Sequence, residues 1–138
     1  MMMTYTEFRN AHENEYRTYN GSMMDAYNLY FKENAQVGDG ATVHLYSDAQ
    51  AYTIIKRTAN TLTLRRCKAT HADGWKPEYI PGGFSAICIN DNEQKWQFEE
   101  DENGAIVKAN WSNRDCRFRV YGSCTVSYGR HEHYDYNF

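Results

Sequence analysis

The sequence predicts an α+β fold: an N-terminal helical segment of one or two helices, then an antiparallel β-meander forming a small barrel of the SH3-like kind. Aromatic and methionine side chains recur at helical spacing through the first 35 residues, and from Val37 onward the pattern changes to the two-residue alternation of strands. Turn signals then divide the remainder into short segments. At 138 residues the chain has the size of one domain around one core, helical over 4–35 and β-rich over 37–138.

In the helical part, Tyr5, Phe8, His12, Tyr16, Tyr19, Met23, Tyr27 and Tyr30 advance by steps of three and four, which keeps them on one face of a helix. Thr4 followed by Glu7 has the spacing of a capping box. Asn20-Gly21-Ser22 interrupts the stripe. A glycine costs about 1 kcal/mol inside a helix, and Ser22 with Asp25 supplies a fresh N-cap. Two helices, over 4–19 and 22–34, are therefore expected in preference to one rod.

Strands are expected over 41–46, 51–58 and 61–70, joined by tight turns at Ser47-Asp48 and Ala59-Asn60. Residues 71–83 read as a loop, because His71-Ala72-Asp73-Gly74 and Pro81-Gly82-Gly83 both mark turns. A strand over 84–89 follows. Segments 94–99 and 105–111 flank Asp101-Glu102-Asn103-Gly104, and Asn-Gly predicts that they form a hairpin. Segments 117–121 and 123–128 make the last pair, and 129–138 is an aromatic tail.

Composition narrows the function classes. Hydrophobic residues at 41% and charged residues at 24% suit a folded chain. No apolar run approaches the roughly 20 residues of a membrane span. The start, Met1-Met2-Met3-Thr4, lacks the basic and apolar regions of a secretion signal, so a cytoplasmic protein with no membrane partner is expected. A net charge of −3 gives no overall basic excess for nucleic-acid backbones. Cys67, Cys88, Cys116 and Cys124 contain no Cys-x-x-Cys pair and read as free thiols of a reducing compartment. Aromatic residues reach 15%, with twelve tyrosines, and tyrosine is enriched where proteins touch partners.

Three groups of residues carry candidate chemistry. Lys56, Arg57, Arg65, Arg66 and Lys68 lie on adjacent expected strands. Arg57, Arg65 and Arg66 are the candidates for gripping phosphates, with Tyr46 or Phe84 to stack a base. In an extended tail, His131, His133 and Asp135 share one face, a ligand set suited to zinc or another divalent metal. Pro81-Gly82-Gly83-Phe84 lets backbone approach a ligand closely. No Gly-x-Ser-x-Gly elbow or phosphate-loop motif occurs, which favours binding over catalysis.

Residues 37–138 resemble a group of small uncharacterised proteins carried by bacteriophages and integrated elements. The resemblance rests on Gly38-Asp39-Gly40-Ala41-Thr42, Tyr46-Ser47-Asp48, Pro81-Gly82-Gly83-Phe84 and Gly129-Arg130-x-Glu132-x-Tyr134-Asp135-Tyr136-x-Phe138. It implies a habitat, the host-cell cytoplasm, and no catalytic residue. By analogy with small phage proteins, the expected function is inhibition of host defence, by binding a host protein or sequestering a nucleotide signal, in a homo-oligomer. A nucleic-acid-binding barrel using the same basic strands and a metal-dependent hydrolase are the alternatives.

Overall fold

A computed structural model describes residues 2–16, 22–82 and 86–137. Helices α1 (Tyr5–Tyr16) and α2 (Met23–Asn34) precede strands β1 (Gly40–His44), β2 (Ala49–Arg57), β3 (Thr61–Arg66), β4 (Lys68–His71), β5 (Tyr79–Pro81), β6 (Ala86–Cys88), β7 (Trp96–Glu99), β8 (Ile106–Ser112), β9 (Arg117–Val120) and β10 (Cys124–Tyr128). Six of the strands close a barrel in the order β1-β10-β9-β8-β3-β2, and β4-β7 and β5-β6 form two small ladders outside it. This is an α+β small barrel.

Both helix starts follow from the local sequence. The Glu7 amide donates to Thr4 Oγ1 at 3.2 Å, and the Thr4 hydroxyl donates to the Glu7 carboxylate at 3.0 Å. Ser22 is the N-cap of α2 and its hydroxyl accepts from the Asp25 amide at 3.0 Å. The expected first helix ran to Tyr19, and its last residues lie outside the described ones.

The barrel interior is built by strand alternation. Ala41, Val43, Ile54, Leu62, Leu64, Ala109, Phe118 and Val120 are fully buried there. Helix α2 covers one end: Phe31, 2% exposed, packs its ring edge-on against Phe118, with centroids 5.8 Å apart. Met2, Phe31 and Ala35 belong to the same core as the barrel strands. A bulge between Ile54 and Lys56 reverses the side-chain parity of β2, so that Arg57 pairs with Leu62 and shares its inward face. The guanidinium thereby reaches the end of α2, donating to Ala35 O at 2.6 Å and Lys32 O at 2.7 Å. A cation at a helix C-terminus satisfies orphan carbonyls and opposes the helix dipole.

Three expectations about the strands are corrected. The strand expected over 61–70 is two, because at Cys67 the chain leaves the barrel and β4 takes β7 as its partner. Segments 94–99 and 105–111 do not form a hairpin. Strand β7 pairs with β4 and β8 with β3, so the two run end to end along β3-β4. Between the pairs Arg65↔Ile106 and Lys68↔Glu99, three steps on one side face seven on the other, an excess of four. Asp101-Glu102-Asn103-Gly104 is thus an excursion within one strand path, closed by Gly104 N–H to Asp101 O at 2.9 Å. The expected loop over 71–83 contains β5, which pairs with β6.

The β9-β10 hairpin turns on Tyr121 and Gly122, at φ 58° and 73°, the pair of positive values a tight twisted hairpin needs. All four cysteines are unpaired thiols. Among the described residues no helix is long and apolar enough to cross a membrane.

Truncating the plug by Phe31→Ala is expected to lower unfolding free energy in urea by about 3–5 kcal/mol. Gly104→Ala is expected to cost about 1–3 kcal/mol in the same measurement, because the added Cβ runs into the Arg66 backbone carbonyl.

Candidate functional site

The three arginines proposed from sequence do not converge. Arg57 closes the end of α2, as described. Arg65 and Arg66 are consecutive strand residues and project to opposite faces. Arg65 pairs with Glu100 at 3.1 Å. The same carboxylate accepts from the Thr53 hydroxyl at 2.6 Å and from Arg130 at 3.1 Å. The Thr53 hydrogen bond, aided by Arg65 and Arg130, holds the Glu100 carboxyl below its ordinary value.

Arg66 makes a two-pronged pair with Glu132, at 2.8 and 2.7 Å, and also donates to Ala51 O. Glu132 is 8% exposed, and it accepts the Ala51 amide at 3.0 Å. All three guanidiniums are thus bound to the protein's own oxygens. Tyr46 stands at the turn between β1 and β2 and is 95% exposed. Phe84 lies outside the described residues.

The tail histidines are likewise dispersed. The His131 amide bonds to Thr42 Oγ1. His133 forms a backbone bridge with Ala49, and its Nε2 lies 3.5 Å from Asp91 Oδ2. The Asp135 carboxylate accepts the Asn137 amide at 2.9 Å. Among the described residues, no three of His, Cys, Asp and Glu, His131, His133 and Asp135 included, are gathered into a group that could hold a metal ion.

The tail is a fastener. The Asp135 amide bonds to Asp48, the Tyr134 amide to Gln94 and the Tyr136 amide to Asp91. Asn137 brackets Cys88 with two side-chain bonds at 2.7 and 3.0 Å. These bonds tie the barrel to both outer ladders.

Two arrangements that strand spacing did not reveal lie on the outside of the barrel. At the β4-β7 ladder, His71 stacks obliquely on Trp96 at 4.2 Å and Trp75 at 4.7 Å, and Tyr136 lies 5.6 Å from Trp75. The Trp75 Nε1 donor is buried without a hydrogen-bond partner. Burial and then the neighbouring Tyr79 phenol push the Tyr136 phenol up, which places the cluster beside the β5-β6 hairpin. On that hairpin Tyr79, Ile80, Ile87 and Ile89 are about half exposed.

The second arrangement lies between α2 and β10. His44 Nε2 is 2.7 Å from Ser127 Oγ, across the β1-β10 ladder. Burial, and to a lesser degree His131, lower the His44 pKa from 6.5, so the imidazole is neutral at neutral pH. Ser127 borders two cavities of about 320 and 290 Å³. No residue of this group shares a motif, and a separation of 83 positions hides the pair from any local pattern.

Compared with protein-family models, with curated proteins and with solved structures, the chain has no match.

Protonation of His44 sets an acid limit. The unfolded chain takes up this proton near pH 6.5 and the folded protein at lower pH, so stability falls as pH drops below about 6.5 until the folded pKa is passed. The urea midpoint is expected to decline between pH 7 and 5, and to decline less in His44→Gln. Glu132→Ala, which leaves Arg66 without its partner, is expected to cost about 3 kcal/mol or more by urea unfolding. Arg65→Ala, on an exposed pair, is expected to cost under about 1 kcal/mol.

Proposed function

We propose that this chain is a phage-type accessory protein that acts by binding, and that the β5-β6 hairpin docks on a host protein in the host-cell cytoplasm to inhibit it. The observation that carries this reading is the exposure of four large apolar side chains on one short hairpin outside the barrel: Tyr79 at 51%, Ile80 at 45%, Ile87 at 47% and Ile89 at 56%. Clustered exposed apolar residues mark protein interaction surfaces, whereas single ones do not. Strands β5 and β6 pair with each other and with no other strand among the described residues. Asn137 covers the β6 backbone at Cys88, and Pro81 on β5 removes one donor from the other edge. Docking by apolar side chains is therefore favoured over strand addition.

The nucleotide arm of the expectation has weaker support, since Arg57, Arg65 and Arg66 already hold internal oxygens. Its remaining support is the buried, unpartnered Trp75 indole donor within the His71, Trp96 and Tyr136 cluster. A base stacked there would accept that hydrogen bond.

The test is affinity capture from bacterial lysate with quantitative mass spectrometry, using the native chain, Ile80→Asp/Ile87→Asp and Trp75→Phe. A partner retained at near-equal stoichiometry by native protein and lost by the hairpin variant supports docking. Retention by the hairpin variant overturns it. Self-association lost in the hairpin variant identifies the surface as a homo-oligomer contact instead. Nucleotide-dependent quenching of tryptophan fluorescence that disappears in Trp75→Phe favours the nucleotide reading.

A further inference from the structure

We infer that Ser127 is a nucleophile, with His44 as its base, in a cleft suited to a small ester with an apolar acyl chain. The inference is independent of the binding reading. It rests first on geometry: Ser127 Oγ and His44 Nε2 are 2.7 Å apart, the short contact through which a histidine accepts a serine proton. The pair sits where two cavities meet. Met24, Asn28 and Ser127 border both, so the cavities adjoin across the serine.

Both cavities are mainly apolar, and they differ in the side chains that they carry. The one of about 320 Å³ is walled by Tyr5, Met24, Tyr27 and Tyr128 and is mainly apolar. Tyr27 adds no polar tip to it, since its hydroxyl donates to Met3 O at 2.8 Å and burial pushes its pKa up to about 12. The other, of about 290 Å³, carries His44, Arg117 and Thr125. Arg117 uses Nε on the Asp115 carbonyl, and its two terminal nitrogens have no protein partner among the described residues. The Asn28 amide borders both cavities and is likewise unbonded among the described residues. An apolar acyl chain fits the first cavity, and the alcohol lies in the second, beside the His44 that protonates it. Asn28 and Arg117 supply donors for the oxyanion.

The chemistry balances without a cofactor. Ser127 Oγ attacks the acyl carbon, forming an oxygen–carbon bond, while its proton passes to His44 Nε2. As the bond from acyl carbon to the alcohol oxygen breaks, His44 returns that proton to the leaving oxygen. Water then attacks the acyl-serine, His44 takes its proton, and the proton is returned to Ser127 Oγ as the carboxylic acid leaves. Among the described residues, the charged and titratable neighbours of His44 are His131, whose field disfavours the imidazolium, and Arg117, which lines the same cavity. Burial, and then the field of His131, keep the imidazole in the neutral form that a base requires. A hydrogen bond that merely joins two strands has no need of adjoining cavities.

The experiment uses an alkyl fluorophosphonate on the full chain. Attack by Ser127 Oγ on phosphorus forms the oxygen–phosphorus bond and expels fluoride, and the proton goes to His44 and then to solvent. Intact mass spectrometry is expected to show one adduct and peptide mapping to place it on Ser127. The rate is expected to rise with pH through the His44 pKa, below 6.5, and to level off by neutrality. His44→Gln keeps a hydrogen-bonding side chain and is expected to slow labelling by about 100-fold or more. Chain unfolded in urea is expected not to label. No adduct on native protein, an adduct on another residue, or equal rates in native and His44→Gln chains each overturn the inference. Because the mapping is done on native protein, the answer does not depend on any variant folding.

Discussion

The Glu132 carboxylate does the work of a missing stretch of strand, and much of the molecule depends on that substitution. Strand β3 stops pairing with β2 at Arg66↔Tyr52; the Cys67 amide still bonds the Ala51 carbonyl, but the chain then turns away and offers the Ala51 amide no backbone acceptor. A buried amide without an acceptor costs about as much as a lost hydrogen bond. Glu132 accepts that amide while pairing with Arg66, and His133 then bridges to Ala49 two residues along. The tail thus extends the β2 edge by a mixture of side-chain and backbone bonds. Each later bond from the tail to Asp48, Asp91, Gln94 and Cys88 starts from this anchor.

The anchor is needed because the strand path that follows β3 diverges from the barrel. A four-residue excess at 100–105 separates β7 from β8, so β4-β7 leaves the barrel wall as an outer ladder. The β5-β6 ladder lies farther along the same excursion of the chain. Neither two-stranded ladder has the strand partners that stabilise a larger sheet, and isolated hairpins are marginal in water. Ring contacts from His71, Trp75, Trp96 and Tyr136, with the tail bonds, supply what the ladders lack. The exposed apolar hairpin and the aromatic cluster are consequences of this geometry.

Cationic side chains serve the fold in a corresponding way. Arg57 neutralises a helix end, Arg66 holds the tail, and Arg65 and Arg130 share Glu100 with Thr53. Gly40 has its place in this set: a Cβ there would meet the Arg130 side chain, so its lack of one lets the tail lie against β1. Segments that stand out as motifs in the sequence, around Gly40, Asp48 and 129–137, are in contact with one another in the fold. Their residues close the tail onto the barrel.

Local physical chemistry in the sequence determined the two helices and their caps, most strand positions and the α+β class, while closure of the barrel decided which strand faces turn inward. Thr4, Ser22, Val43, Leu62 and Leu64 act through neighbours one to four residues away, and such effects are readable in order. Tertiary structure alone decided that Asn103-Gly104 interrupts a strand instead of turning a hairpin, since that depends on the partner β3-β4 offers to both β7 and β8. It decided that a bulge at Ile54 aims Arg57 at α2, and that Arg66 meets Glu132 across 66 positions. It also joined His44 to Ser127 and gathered the aromatic cluster. Side-chain type shows what a residue is able to do, but closure of the barrel chooses which distant groups come within bonding distance, and for these charged and polar residues that choice sets their role.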